Sequence, residues 1–225
     1  MNKTPEIGGT LIGSVHGNFS PVEITTEKFQ PLNVNKPHST VRKKVLFVGW
    51  GRTGKDEAAQ FAELHLGLRY GGSFSWHAKD DVAKAMGVHP MTAWETRHQH
   101  RKFWYDECNK IRAVNITELA ERALATGDIC AGLRDKPELK AVFDKNLFDE
   151  VVWIERPGTP EDFTVTFTRQ DVINSSNAGT FGSIIYNNGT LEEYHRSIIR
   201  LFNRIDQPVK PSDYARSLMP RSFFL

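Results

Sequence analysis

A glycine-rich segment that follows an apolar run constrains this chain more than any other feature. Val45–Val48 is continuously apolar, as in a strand buried on both faces of a sheet, and the segment GWGRTGK at 49–55 follows it directly. Its spacing is Gly-x-x-x-x-Gly-Lys, and apolar residues then recur at helical intervals across Lys55–Leu66. A strand, a glycine loop and a helix in this order predict a phosphate-binding loop.

Each part of this loop has a chemical reason. Glycines let backbone N–H groups curve around the β- and γ-phosphates, the helix directs its positive N-terminus at them, and the lysine bridges the same oxygens. Two alternatives stay open: a turn without a ligand, and a dinucleotide-binding turn, because residues 49–54 also match Gly-x-Gly-x-x-Gly. The predicted ATP-binding residues are Gly49, Trp50, Gly51, Arg52, Thr53, Gly54, Lys55 and Asp56.

Position 56 departs from the usual loop pattern, which has a Ser or Thr hydroxyl that holds Mg²⁺. Asp56 stands there instead, and a carboxylate can ligate Mg²⁺ directly or through water. An acidic side chain in a first helical turn also stabilises the helix without any metal. We predict Mg²⁺ as a cofactor with Asp56 as its ligand, and keep helix stabilisation as the alternative.

The rest of the chain predicts one α/β domain, residues 41–207, between an irregular N-terminal extension, 1–40, and an irregular tail, 208–225. The extension holds four prolines and has no sustained helical or strand period. Further short apolar runs lie at 128–132, 150–154 and 183–186, and alternate with helical patterns. This alternation predicts three layers, a parallel sheet covered by helices on both faces. The main helical patterns lie at 77–86, 90–113, 115–126, 137–145 and 191–205.

Composition excludes several classes of protein. No run approaches the roughly 18 apolar residues of a membrane span, and the start of the chain lacks the order of a signal peptide, so we expect a cytoplasmic protein with no membrane partner. Cys108 and Cys130 are too few for a disulfide framework or a paired-cysteine zinc site. A net charge of +2 permits an anionic partner without indicating a dedicated nucleic-acid module.

Three arginines are candidate substrate ligands. Arg97 and Arg101 lie four residues apart in a predicted helix rich in cations and aromatics, so they share a face that could hold a phosphate while rings stack on a base. The alternative places these aromatics in the core and the cations in water. Arg134 follows the strand that ends at Gly132, at the edge where doubly wound sheets bind ligands.

Five sequence blocks carry a resemblance: GKD at 54–56, KDDVAKAMGV at 79–88, GLR at 132–134, VWIERPG at 152–158 and IYNNGTLEE at 185–193. With them, residues 45–205 resemble phage deoxynucleoside monophosphate kinases, including the relatives that phosphorylate 5-hydroxymethyluracil in DNA. The resemblance implies a P-loop kinase fold with ATP on the loop and an acceptor held by the helices between Ser73 and Arg112. It also implies roles for single residues: Lys55 on the β- and γ-phosphates, Arg134 on the acceptor or transferring phosphate, and Asn187, Asn188 and Gly189 near the adenine.

The predicted activity is therefore transfer of the γ-phosphoryl group of ATP to a deoxypyrimidine acceptor, with Lys55, Asp80 and Arg134 as catalytic residues. Asp80, or its neighbour Asp81, is the candidate general base for a hydroxyl acceptor. The preferred acceptor is 5-hydroxymethyluracil in phage DNA, because of the basic-aromatic helix 97–112, the N-terminal extension and the few arginines available for a free monophosphate. The alternatives are a kinase of free deoxynucleoside monophosphates and a non-catalytic ATP-binding module.

Overall fold

The computed structural model describes residues 42–205 and 210–219. The predicted N-terminal extension, residues 1–40, lies outside the described residues. Among the helices of the two described ranges, none has the length and apolar character that a membrane crossing requires.

Five parallel strands form one sheet in the order β2-β3-β1-β4-β5. The predicted runs at 45–48, 128–132, 150–154 and 183–186 are strands, within a few residues at their ends. β2, with the sequence YGGS, is not among the predicted strands. The strand passes close to a neighbouring helix: a Cβ added to Gly71 would lie 2.3 Å from the carbonyl oxygen of Ala123. The strands are β1 (Val45–Val48), β2 (Tyr70–Ser73), β3 (Ile129–Ala131), β4 (Glu150–Glu155) and β5 (Phe181–Tyr186).

Helices cover both faces of this sheet, as predicted. Alternate residues of β1 face opposite layers, since Val45 and Phe47 pack with α1, α9 and α10, whereas Leu46 and Val48 pack with the other helices. The three-layer α/β class is therefore confirmed. The helices are α1 (Lys55–Leu66), α2 (Phe74–His77), α3 (Lys79–Met86), α4 (Pro90–Glu95), α5 (Arg101–Val114), α6 (Glu118–Thr126), α7 (Lys136–Asp144), α8 (Arg169–Asn174), α9 (Leu191–Arg204) and α10 (Asp213–Leu218).

The predicted helix 90–113 is wrong as one continuous element. α4 ends at Glu95, where Thr96 Oγ1 donates to the Thr92 carbonyl oxygen at 2.8 Å, and α5 begins only at Arg101. A side-chain hydroxyl that bonds the preceding turn competes with the helical pattern at that point. Arg97 consequently lies in the connection, and the predicted helical i, i+4 relation between Arg97 and Arg101 does not exist.

The described part of the predicted irregular tail, residues 210–219, contains the helix α10. The Ser212 side chain accepts a hydrogen bond from the Ala215 backbone N–H and so caps this helix. Ala215 is fully buried in the layer formed with α1 and α9. The six-residue helix Asp213–Leu218 was missed since it is too short for a clear apolar period.

The strand order creates a crevice at the carboxyl ends of β1 and β3. These strands are neighbours, yet β1 leads into α1 on one face of the sheet and β3 leads into α7 on the other. Ligands of open α/β sheets bind at such a switch point. The dinucleotide-binding order 3-2-1-4-5-6 places the first strand beside the second, whereas here β3 lies between them. The topology thus argues against the dinucleotide alternative.

Candidate functional site

The segment 49–55 forms the turn between β1 and α1, and its backbone requires glycine at two positions. Gly49 has a φ of 141°, and an added Cβ would lie 2.7 Å from the carbonyl oxygen of Ile154. Gly54 has a φ of 102°, and its Cβ would lie 2.6 Å from Asn187 Nδ2. No side chain caps the start of α1, so the N–H groups of its first turn can bind an anion.

Two side chains from the other end of the chain hold this loop in place. Asn187, just after β5, donates from Nδ2 to the Thr53 carbonyl oxygen at 2.9 Å. Tyr194, on α9, donates its hydroxyl proton to the Gly54 carbonyl oxygen, also at 2.9 Å. Both bonds occupy carbonyl groups and use none of the loop N–H groups.

Lys55 is the first residue of α1 and is only 6% exposed. Its Nζ donates to the Trp50 carbonyl oxygen at 3.3 Å and lies 4.0 Å from Asp56 Oδ2. Burial lowers the pKa of Lys55, and the charges of Asp56, Arg134, Asp162 and Arg101 act on it in both directions. The lysine therefore belongs to the same electrostatic cluster as residues that follow β3 and β4.

Asp162, in the segment between β4 and α8, is the centre of this cluster. Its Oδ2 accepts from Arg134 Nη1 at 2.8 Å and from Arg101 Nη1 at 3.5 Å. Burial alone would raise the pKa of Asp162, but hydrogen bonds from Thr164 and Arg134 outweigh it and lower the pKa to about 2. A Cβ added to Gly51 would lie 3.0 Å from Asp162 Oδ2, so an ionised carboxylate lies against the glycine loop 49–55.

A cleft of about 1100 Å³ opens beside this cluster. Arg97 is held there by a bond from Nη1 to the Trp94 carbonyl oxygen, 2.9 Å, and its guanidinium lies 3.9 Å from the centre of the Trp94 ring. Partial burial, and then the charges of Arg97, Arg101 and Arg52, lower the pKa of His98, which also lines the cleft. Five cationic and four acidic side chains of the described residues line the cleft, so it has both signs of charge with one more cation than anion. The cations are Arg52, Lys55, Arg97, Arg101 and Arg134, and the acids are Asp56, Glu63, Glu161 and Asp162.

The structure brings most of the predicted site residues together. Lys55, Arg97, Arg101 and Arg134 come from four separate segments and all line this cleft. Arg97 reaches it from the α4–α5 connection and Arg101 from the first position of α5.

The predicted general base is not among the residues of the cleft. The Asp80 side chain is 80% exposed on α3 and lies 3.8 Å from Lys79 Nζ, and Asp80 is absent from the cleft lining. The alternative, Asp81, accepts from Arg122 Nη1 at 2.7 Å and is also absent from that lining. Their acidic positions in the first turn of α3 suit helix stabilisation instead.

Asp162 is the site residue that the sequence analysis missed. Its segment has no strand or helix period, so nothing local distinguishes Asp162 from a solvated loop carboxylate. The usable signal was its place shortly after the carboxyl end of β4, at the edge where such sheets bind ligands.

Asp56 lines the cleft beside Lys55, with 59% of its side chain exposed. Within residues 42–205 and 210–219, no three His, Cys, Asp or Glu side chains are grouped as a metal site. Mg²⁺ in phosphotransferases commonly takes one or two carboxylates together with phosphate oxygens of the substrate. A single accessible carboxylate next to the phosphate loop fits that mode of binding.

No protein-family model and no curated protein sequence matches this chain. Among solved structures, an unliganded sugar kinase from a Janibacter species is similar over 74% of this chain and 96% of its own, with 12% identity and a TM-score of 0.37. A likeness at this level supports no conclusion about the fold or the activity of this chain.

Proposed function

We propose that this protein is a phosphotransferase that uses ATP and moves its γ-phosphoryl group to a deoxypyrimidine acceptor. One observation carries the proposal: Lys55 in a glycine loop, together with Arg97, Arg101 and Arg134, converges on one cleft at the switch point of a parallel sheet. Loop N–H groups, a helix N-terminus and a lysine suit a triphosphate, and further arginines suit a second anionic group beside it.

Catalysis in this cleft consists of positioning and charge neutralisation. The loop N–H groups and Lys55 hold the β- and γ-phosphates, and Arg134 and Arg101 lie where charge on a transferring phosphoryl group needs compensation. Asp56 would hold Mg²⁺, which supplies further compensation for the phosphate oxygens when bound. Asp162 orients Arg134 and Arg101, since it accepts a hydrogen bond from each of them.

The cleft favours a free deoxypyrimidine monophosphate over 5-hydroxymethyluracil in DNA. A hydroxyl acceptor needs a general base, and with a pKa of about 2 Asp162 is too weak a base. A phosphate oxygen is largely ionised near neutral pH and needs no base. The shortage of arginines that favoured DNA at the sequence level is also removed, because Arg97, Arg101 and Arg134 all line the cleft.

Modified DNA remains the second candidate acceptor, and salt separates the two. Binding to polymeric DNA releases counterions, with a slope of about 0.9 in log affinity against log salt for each phosphate contact, so three contacts weaken binding well over tenfold between about 50 and 200 mM salt. A mononucleotide lacks that counterion atmosphere. We would incubate the full chain with radiolabelled ATP and, separately, deoxypyrimidine monophosphates and 5-hydroxymethyluracil DNA across this salt range.

We expect transfer to the monophosphate with a shallow salt dependence. Transfer to the DNA alone, declining steeply with salt, would overturn the preferred acceptor. ATP binding without transfer to either acceptor would leave the non-catalytic module.

A further inference from the structure

A smaller pocket adjoins the cleft beside α5. It has a volume of about 120 Å³ and shares part of its lining with the cleft: Ser75, Arg97, His98, Arg101, Gly132 and Arg134. We call these shared residues the mouth. The residues that line the pocket alone are mainly apolar or aromatic, among them Phe74, Trp104, Tyr105, Cys108 and Leu119. An apolar pocket behind a cationic mouth is typical of a site for a flat ring that carries an anionic group.

Buried polar atoms without a hydrogen-bond partner concentrate at this pocket. Within the described ranges they are three: Trp104 Nε1, Arg112 Nε and Glu138 Oε1. Trp104 and Arg112 line the pocket, and the other oxygen of Glu138 accepts from Arg112 Nη1 at 3.4 Å. Such atoms are uncommon in folded proteins and call for an explanation. Arg112 Nε and Glu138 Oε1 are a donor and an acceptor on two side chains that already pair with each other, whereas the N–H of Trp104 is left without an acceptor. A ring carbonyl oxygen in the pocket is an acceptor of the kind that Trp104 lacks.

The size of the pocket selects a single ring. An apolar cavity of about 150 Å³ in another protein accommodates benzene. A pocket of about 120 Å³ that opens at its mouth can hold one six-membered ring, whereas a fused two-ring base would need the walls to move. The phenol of Tyr105 offers a flat surface on which such a ring can stack, while the indole of Trp104 presents its N–H.

We propose that this pocket binds a pyrimidine ring with carbonyl groups, between Trp104 and Arg112, while the rest of the nucleotide extends through the mouth toward Lys55. The inference rests on the proposed function, because it identifies the acceptor ring of the same site and the residues that select it. The ring can come from a free nucleotide or from a base extruded from DNA, since both present the same chemistry.

Calorimetric titration of the full chain without ATP tests ring binding independently of phosphoryl transfer. We expect thymidine monophosphate to bind at least about tenfold more tightly than deoxyguanosine monophosphate or inorganic phosphate, because only the first fills the pocket. A single-stranded oligonucleotide with one 5-hydroxymethyluracil is the second arm. Tighter binding of the oligonucleotide than of the monophosphate assigns the ring to DNA, and the reverse assigns it to free nucleotides. Equal affinity for the purine and pyrimidine monophosphates would overturn the proposal.

Two variants locate the ring. Cys108→Leu adds bulk to the pocket wall and should lower thymidine monophosphate affinity at least about tenfold while inorganic phosphate still binds at the mouth. Trp104→Phe keeps an aromatic wall but removes the N–H, and should lower the same affinity about five- to tenfold. Tyr214→Phe is the control, because it removes a side-chain donor, bonded to His195 Nδ1 at 3.0 Å, on the opposite face of the sheet.

The outcomes separate this pocket from the proposed activity. Undiminished thymidine monophosphate affinity in both folded pocket variants would overturn the pocket. Ring binding that both variants weaken, with no phosphoryl transfer in the native protein, would retain the pocket and reject the phosphotransferase.

Discussion

Burial of the Lys55 ammonium group is unfavourable for folding, and its proposed role accounts for its position. Lys55 is 6% exposed and its pKa is lowered by burial, so the fold holds a buried charge whose carboxylate neighbour, Asp56, lies 4.0 Å away. Phosphate would supply further negative charge. Functional residues of this kind lower the stability of the folded protein.

Lys55→Met tests directly whether Lys55 lowers stability and is needed for activity. Loss of a hydrogen bond to a charged group costs about 1.5–3 kcal/mol, so ATP affinity and transfer should fall at least about tenfold. The melting temperature should stay constant or rise, because a desolvated charge is replaced by an apolar chain. Lys145→Met, which removes a lysine bonded to Thr117 Oγ1 at 2.7 Å, is the control. Full transfer by folded Lys55→Met protein would end the phosphate-loop interpretation.

Glu138 makes stability depend on pH. It is fully buried on α7, and burial raises its pKa to about 8 although Arg112 acts to lower it. The folded chain then binds more protons than the unfolded chain between the ordinary glutamate pKa and about 8. Stability from this group is therefore present at low pH and is lost as pH rises through that window.

Glu138→Gln stays neutral and should remove this dependence. Its melting temperature should match that of the native protein near pH 4.5 and exceed it progressively toward pH 8. Thermal melts across this range measure the difference. Glu95→Gln, at an exposed position, controls for the loss of a negative charge. A constant difference at all pH values would show that Glu138 titrates normally.

At the scale of elements, the glycine loop 49–55 is held in shape by side chains that follow β5 and lie on α9. Asn187 and Tyr194 bond two successive carbonyl groups of the loop from outside it. A glycine turn has high backbone freedom, so under the proposed function such bonds would reduce the entropy lost on ATP binding.

Asn187→Ala should therefore raise the KM for ATP about fivefold, the effect of roughly 1 kcal/mol for one hydrogen bond. Asn188→Ala is the matched variant, since this neighbour is exposed and lies one residue further along. Steady-state kinetics should show little change for it. An equal rise for both variants would favour the adenine contact that the resemblance implies for residues 187–189.

At the scale of the molecule, the site lies at one edge of a sheet whose two faces are covered by different sets of helices. The face with α2–α8 includes the smaller pocket beside α5, whereas the face with α1, α9 and α10 is a packed layer. In that layer α10 joins α1 and α9 through Ser212 Oγ to His65 Nδ1, 2.9 Å, and Tyr214 Oη to His195 Nδ1, 3.0 Å.

A chain that stops after residue 209 should be less stable and still active at low temperature. It loses the buried contacts of Ala215 and Met219, and at about 2–4 °C for each kcal/mol its melting temperature should fall at least about 4 °C. A chain that stops after residue 219 retains α10 and is the control. Equal melting temperatures for the two truncations would show that α10 contributes nothing to the stability of the domain.

Local patterns along the chain were sufficient to predict the α/β class, four of the five strands and the glycine turn between β1 and α1. Strand runs, helical periods and the Gly-x-x-x-x-Gly-Lys spacing depend on neighbours a few residues apart, and the sequence records such relations directly. β2 was not predicted. Glycine is needed at position 71 because this residue contacts a helix that is distant in sequence, and such a contact leaves no local sequence pattern.

Which charged residues meet in the cleft depends on the tertiary structure. Arg101, Arg134 and Asp162 are brought together by the strand order β2-β3-β1-β4-β5 and by the break between α4 and α5. The same packing keeps Asp80 out of the cleft and encloses the smaller pocket between α5 and the sheet edge. These arrangements depend on which distant surfaces bury one another, and the spacing of residues along the chain carries no record of that choice.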